Sequence, residues 1–461
     1  MWPFEYPYTN FHELNLDWIL KEMQKSREEV KNISEEIMNK LEQWKDDGTL
    51  AEIIGALTDS VIFANTTKEI ISGGTIVSGN LKEGMVFLTS GYESANDGGA
   101  AFWVVHDQAG DIAITGGKYL DYVPVSEYVN PRVFGATYGG DTPSDDSFEK
   151  ALKYGSIYLT GEIILAAPHT IYRNVSGSSG AINSSATITI ANDVKISDIT
   201  VTGNNENTMV ILSDNAFISN CTFTNGVGPA MEIRGSHNTV NDNTFIASNN
   251  VCLRIRKIES VVNINNTIKG NIFSGSKGIN IISDHAGGRP EGCEISDCQF
   301  ITTNNNISIN DCLSLNIDNC ILDIAKSAIL MKDGLDIKQD IKIRGCWFGV
   351  KNVCMQNDGT QKVNGVVVSE GYVYNTIYGF STNNIENLTI TNTNIGTSDA
   401  AIIGNGNKII ISNNNMSRCT NSITIHIPNT ESAIVTGNIY KGAIQTHANA
   451  VNANNLQITG S

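Results

Sequence analysis

Between Ile196 and Tyr440 the apolar positions fall into a six-residue phrase that keeps returning. It starts at 196 (ISDITV), 218 (ISNCTF), 240 (VNDNTF), 268, 295, 317, 343, 368, 390, 411 and 435 (VTGNIY). The frame is one apolar residue, two polar or small ones, then Asn, Cys or another small residue, one variable position, and a second apolar residue. Successive starts lie 21 to 28 residues apart, and a period in the twenties marks a solenoid. The apolar residues are Ile, Val and Phe in short runs broken by Asn, Asp and Gly. That pattern predicts strands of three to six residues joined by turns, not the Leu ladder or 3.6-residue spacing of other repeats. Each coil then pairs with the next along one axis, as a parallel β-helix.

The fourth residue of the phrase falls where two strands meet at a tight turn: Cys221, Asn243, Asn271, Cys298, Cys320, Cys346, Gly371, Thr393, Asn414 and Asn438. Stacked at the strand spacing of roughly 4.8 Å, these residues predict an internal ladder of amides and thiols. The Asn residues are also expected to take the left-handed backbone angles of the corner.

Outside the repeat, the chain opens differently. Residues 1–10 are aromatic and Pro-rich, with Trp2, Phe4, Tyr6 and Tyr8, followed by Phe11. Such a segment is expected to be held by a partner. Leu16, Ile19, Met23, Val30, Ile33, Ile37 and Trp44 then follow heptad spacing, a seam whose β-branched members favour three strands. Residues 61–130 carry short apolar runs (GMVFLT, AAFWVV, DIAITG) between Gly and Asn turns, which predicts a small β domain.

Composition narrows the function. A net charge of −17 and a pI near 4.8 exclude a phosphate-neutralising surface, so no nucleic acid is expected. Eighteen consecutive apolar residues occur nowhere, and the N-terminus lacks a basic segment ahead of an apolar core, so neither membrane insertion nor a secretory signal is expected. All nine cysteines lie between Cys221 and Cys419 without a CxxC pair, which predicts reduced, buried thiols in a protein made in the cytosol. No metal and no cofactor are expected.

Two stretches carry a resemblance. The order GYESANDGGAAFWVV at 91–105, a Gly-rich strand, then YVNPRVFGA at 128–136 and Asp145-Asp146 opening a short helix resembles bacteriophage tailspike and appendage proteins. Their body is a pectate-lyase-like right-handed β-helix. Residues 6–23 (YPYTNFHELNLDWILKEM) resemble the virion-attachment peptide of small podophages. The chain departs from that pattern at Gly139-Gly140-Asp141-Thr142-Pro143, where a compact Gly-Asp-Gly is usual. The resemblance implies a mainly-β homotrimer in three parts. These are an attachment peptide and coiled-coil helix (1–60), a small β neck (61–130), and a right-handed parallel β-helix of about 11–12 coils with an N-terminal capping helix (131–461). Tyr6, Tyr8, Phe11, Leu14 and Trp18 would meet a phage collar, tail or portal-region protein. Asp145 or Asp146 is expected to N-cap the helix, with Glu149 completing a capping box. The chain runs only about twenty residues past the last phrase, so either a receptor-binding domain is absent or the β-helix itself meets the target.

The chemistry must come from the strand preceding each phrase. Aligning MVILSD (209), MEIRGS (231), LRIRKI (253), INIISD (279) and ISINDC (307) puts Val210/Leu212, Glu232/Arg234, Arg254/Arg256, Asn280/Ile282 and Ser308/Asn310 on one outward stack. Acidic residues and His285 follow at the strand ends. A glycosidase needs one protonated and one ionised carboxyl, near 5 Å apart for retention or roughly 6.5–9.5 Å for inversion. Adjacent and alternate coils offer both separations. The catalytic candidates are therefore Glu232, Glu259, Asp284, Asp311 and His285. Arg234, Arg254 and Arg256 are candidates for holding acidic sugars or phosphates. The plainer alternative is that these residues cap turns and form solvated ion pairs. Three functions fit: a trimeric appendage that binds a host cell-surface polysaccharide, the same appendage acting as a glycoside hydrolase or lyase, or a secreted pectinase-like enzyme.

Overall fold

The computed structural model describes residues 61–73, 81–336, 338–420, 423–430 and 432–458. The expected attachment residues Tyr6, Tyr8, Phe11, Leu14 and Trp18 and the seam Leu16, Ile19, Met23, Val30, Ile33, Ile37 and Trp44 lie outside them. The chain divides into two compact units, one ending at Val123 and the other holding Gly91–Ala100 together with everything from Pro124 on.

In the smaller unit, β1 (Val61–Ala64), β2 (Val86–Thr89), β3 (Ala101–His106), β4 (Ile112–Ile114) and β5 (Lys118–Val123) make a sheet in the order β1-β2-β3-β5-β4. Alternation along β3 buries Ala101, Trp103 and Val105 on one face. A five-residue helix, α1 (Thr67–Ile71), is N-capped by the Thr66 hydroxyl, which accepts from the Glu69 amide at 3.1 Å.

The larger unit is a parallel β-solenoid. The phrase is its repeat, and every expected step is a register pair: Ile196 faces Ile218, then Val240, Ile268, Ile295, Ile317, Ile343, Val368, Ile390, Ile411 and Val435. The register continues back to Val175 and Ile157 and forward to Asn452, so the solenoid has more coils than the phrase predicts. Three stacks of strands result: a first sheet holding the start of the phrase, a second holding its end, and a third holding the strand before it. The second sheet buries a column of Phe223, Phe245, Phe273 and Phe300, with ring centroids 5.3, 5.1 and 4.8 Å apart. Parallel in-register pairing forces like residues to stack, and the column fills the bore.

The corner between the first two sheets divides its work between two positions. The third residue of every phrase is left-handed, with φ between 51° and 66° from Asp198 through Gly437. Asn, Asp and Gly dominate there because they tolerate that region. The ladder residue is the next one, so the expectation that the ladder Asn also adopts the left-handed angle is corrected. Turning the chain one position earlier leaves the fourth side chain pointing inward. Asn243 Nδ2 donates to Asn271 Oδ1 at 3.0 Å and to the Ile218 carbonyl at 3.1 Å, and Asn414 and Asn438 repeat this two-way bonding. Where Cys stands, its thiol donates to a carbonyl two residues back, as Cys298 does to Ser296 at 3.2 Å. All nine thiols are free and buried, and burial pushes those of Cys252 and Cys293 up to about 12.

The solenoid is capped by β6 (Tyr128–Val129) and α2 (Asp145–Tyr154), with Phe148, Ala151 and Leu152 fully buried. The two stretches behind the resemblance meet here. Tyr92 packs so closely on Gly135 that a Cβ there would lie 2.6 Å from its ring, and Gly135 also closes the preceding 3-10 turn at φ 91°. The expected capping box does not form. Ser144 is the N-cap residue, and it makes no side-chain cap bond. Asp145 and Glu149 reach instead to His169 on the first strand of the third sheet, with Asp145 Oδ1 2.6 Å from Nε2 and Glu149 Oε1 2.6 Å from Nδ1. Asp145 also accepts from the amides of Ala166 and Ala167. The reason is reach: His169 is buried beneath the helix, and bonding its ring compensates for taking it out of water.

Candidate functional site

The third sheet carries the candidate residues on strands Met231–Ile233, Thr244–Lys257 and Ile272–Ser283. Its outward stack is Ile211, Glu232, Arg254, Asn280 and Ser308. The expected alignment is correct from Met231 onward and one residue off before it, since Val210, not Met209, faces Met231. A slip of one residue inverts the faces, so Val210 and Leu212 are buried and Ile211 points outward.

Alternation puts Glu232 and Arg234 on one coil and Arg254 and Arg256 on the next, all on the same side. The four converge. Arg234 Nε donates to Glu232 Oε1 at 2.5 Å, Arg254 Nη1 to Oε2 at 3.1 Å, and Arg256 Nη1 to Oε1 at 3.4 Å. The Thr208 hydroxyl adds a bond to Oε2 at 3.3 Å, a contact that only the fold reveals. Glu232 is thereby 0% exposed, beneath guanidinium side chains that are 22–34% exposed. Arg256 turns its Nε to Asp284 Oδ1 at 2.8 Å, and this bond, with the two nearby carboxylate charges, raises Arg256 against the opposing effect of burial. Three guanidiniums against two carboxylates leave a residual formal charge of +1 in a chain of net −17. Arg254 Nε and Asn280 Oδ1, on register-paired residues, are both buried with no hydrogen-bond partner among the described residues. A donor and an acceptor are therefore left over beside the cluster.

Two of the catalytic candidates are buried. Glu232 has no solvent-exposed surface. Asp311 is 1% exposed, and its carboxylate holds a turn by accepting from the Ser283 amide at 3.0 Å and the Asp336 amide at 2.5 Å. Burial pushes the Asp311 carboxyl up, against those bonds. Asp284 is one-third exposed and committed to Arg256. Glu259 stands in an exposed turn after the Arg256 strand. His285 lies in the loop beside Asp284, its amide donating to the Ser283 hydroxyl at 3.3 Å and its buried Nδ1 without a partner among the described residues. Among the described residues no group of three or more His, Cys, Asp and Glu side chains gathers as a metal site, and no helix is long and apolar enough to cross a membrane.

Concave surface lies elsewhere on the solenoid. One groove of about 550 Å³ is lined by Gly177, Ser178, Asp198 and Asn220, and one of about 460 Å³ by Asn387, Lys408, Ile410 and Asn449. Neither lining contains a pair of carboxylates. What the arginine cluster offers chemically is recognition: a fixed fan of donors on a rigid sheet, suited to a carboxylate, sulfate or phosphate.

No family model and no curated protein matches the chain. Solved structures do match it. A tailspike protein from Acinetobacter baumannii bacteriophage Fri1, a capsular polysaccharide depolymerase, aligns with a TM-score of 0.48 and 11% identity over 80% of this chain and 73% of its own. The catalytic unit of an α-1,3-glucanase of glycoside hydrolase family 87 from Streptomyces thermodiastaticus aligns with a TM-score of 0.47 and 12% identity over 74% of this chain and 71% of its own. Tailspike protein 3 of bacteriophage CBA120 aligns with a TM-score of 0.45 and 12% identity over 76% of this chain and 62% of its own. At these identities the likeness is one of fold.

Proposed function

We propose that this chain is a tailspike-like phage appendage whose solenoid binds an acidic polysaccharide of the host cell surface through Arg234, Arg254 and Arg256. The observation that carries the reading is Glu232 buried beneath three guanidiniums. A carboxylate covered in this way fixes the arginines in place. Their remaining N–H groups are thus positioned before a ligand arrives, which lowers the entropic cost of binding. The local positive charge steers an acidic polymer to this place on a chain whose net charge of −17 repels it elsewhere. The sequence resemblance supports the appendage role, with residues 1–23 meeting a collar, tail or portal-region protein and the 16–44 seam assembling three right-handed β-helices.

Binding without cleavage is the form the geometry supports best, because Glu232, Asp284 and Asp311 are each engaged with arginine or backbone donors. The test is incubation of the purified full chain with host capsular and wall polysaccharides, reading both retention and reducing ends. Retention without new reducing ends, lost in Arg254→Ala, is the expected result. Reducing ends that vanish in Asp284→Asn would overturn the binding-only reading in favour of a depolymerase. A monomeric mass in light scattering would remove the trimer.

A further inference from the structure

A second feature of the solenoid lies on the outer face of the second sheet. Strands Trp347–Gly349 and Tyr372–Thr376 pair with Trp347 opposite Tyr372 and Phe348 opposite Val373. Phe348 and Val373 are buried in the bore, so alternation turns Trp347, Tyr372 and Tyr374 outward. Large aromatics on the outside of a sheet forgo the burial their size would bring, and here three stand together. The Trp347 and Tyr374 rings are nearly parallel, 21° apart with centroids 6.4 Å from each other. Tyr374 is 50% exposed.

The group is held from two sides. A Cβ at Gly349 would lie 2.2 Å from Trp347 Cη2 and 2.3 Å from Cζ3, so the indole lies along its own strand over a position that only glycine leaves open. On the other side Arg418 sits with its guanidinium carbon 5.9 Å from both tyrosine centroids, and its Nη1 donates to the Tyr372 hydroxyl. Ile321, paired with Trp347, extends the apolar strip by one coil, after which Gln299 follows on the same row. Asp323 pairs with Gly349 on one side, and Asn394 pairs with Tyr372 and Asn415 with Asn394 on the other.

We propose that Trp347, Tyr374 and Tyr372, steadied by Gly349 and Arg418, are a stacking platform for pyranose rings of the bound polysaccharide. A pyranose offers one face of C–H groups and a rim of hydroxyls. The aromatic faces match the first, and Arg418, Asp323 and Asn394 match the second. A stable protein partner would need about 800 Å² of complementary surface on each side, whereas this aromatic patch is bounded by amide and carboxylate side chains within a coil or two. The rings are fixed before binding, so stacking costs little conformational freedom. The platform rests on the reading that the solenoid binds polysaccharide. It lies on a different sheet from the arginine cluster and recognises an uncharged part of the ligand.

The test is affinity electrophoresis of the full chain through gels containing purified host capsular or wall polysaccharide, with the melting temperature and the mass in solution measured alongside. Trp347→Ala and Tyr374→Ala are each expected to weaken retention about 3- to 10-fold. That loss should be the same at low and high salt, while the loss in Arg254→Ala shrinks as salt rises. Gly349→Val, which keeps every aromatic but displaces the indole, should weaken retention as Trp347→Ala does. Unchanged retention in the aromatic variants, with Arg254→Ala defective, overturns the platform and leaves the arginine site standing. A change in mass in those variants overturns it by assigning the patch to a subunit contact. If the wild-type chain is retained by no polysaccharide, the general reading fails and the platform with it.

Discussion

Two buried polar arrays occur in the same stretch of coils and are built on opposite rules. At the corner of the first two sheets, Asn243 and Asn271 are neutral and satisfied along the ladder. Asn271 Oδ1 accepts from the Asn243 amide and side chain, Asn243 Oδ1 accepts from the Cys221 amide, and Asn271 Nδ2 donates to the Val240 carbonyl. On the outside of the third sheet, Glu232 is charged and occurs once, and it is satisfied by three different arginines drawn from two coils. The amide ladder uses the translation that the fold repeats anyway, so one frame position, filled by Asn, Cys, Thr or Gly, serves successive coils. The arginine cluster breaks the translation, since Ile211 lies before Glu232 and Asn280 after Arg254. A solenoid keeps its shape by repetition, and a position where repetition stops at the cost of burying a charge is where a specific ligand is to be sought.

Removing the charge should have the largest effect. Glu232→Gln leaves Arg234 and Arg254 without a counter-charge while Arg256 keeps Asp284. Because these guanidiniums are partly exposed, the loss should reach about 3 kcal/mol, the low end for breaking a buried pair, measured by urea unfolding. The ladder should respond less. Asn271→Ala leaves the Asn243 side chain and amide without their acceptor, a loss of about 1–3 kcal/mol in the same measurement. Asn271→Cys should lose less than Asn271→Ala, because Cys298, Cys320 and Cys346 already fill that position in other coils. If both ladder variants cost as much as Glu232→Gln, the distinction between repeated and singular polar burial fails.

The smallest effect is expected at the cap, where Asp145 and Glu149 hold His169. Burial raises the Asp145 carboxyl, but the hydrogen bonds from His169, Ala167 and Ala166 outweigh this and hold it below its ordinary value of 3.8. A carboxylate depressed in the folded state adds stability above its unfolded value, and that stability is lost as pH falls through the folded value. Melting temperatures should therefore decline below about pH 4, and Asp145→Asn should flatten that part of the profile. An unchanged acid profile in Asp145→Asn would show that the clasp adds nothing.

The repeat was legible because it is dictated by periodicity. One apolar residue per coil at a fixed frame position must face the bore, and Ile196 through Val435 pair as the phrase demands. Register failed only at MVIL, where four consecutive apolar residues offer no alternation to read and only pairing with Met231 decides. The convergence of Glu232, Arg254 and Arg256 could be read from aligned strands. That Glu232 would be fully covered could not be, since alternation alone marks it as outward and it is the arginine side chains that seal it. Asp145 and Glu149 were misread for a related reason. Local spacing suggested a capping box, whereas their partner His169 lies more than one coil element away in sequence.

The measurement that bears most directly on the central claim is the salt dependence of binding between the full chain and an acidic host polysaccharide, compared with Arg254→Ala and Arg256→Ala. Affinity for the wild-type chain should fall as salt rises, and each arginine variant should bind more weakly with a shallower salt slope. Equal affinity and equal slope in all three proteins would show that the arginines over Glu232 hold the fold and not the ligand.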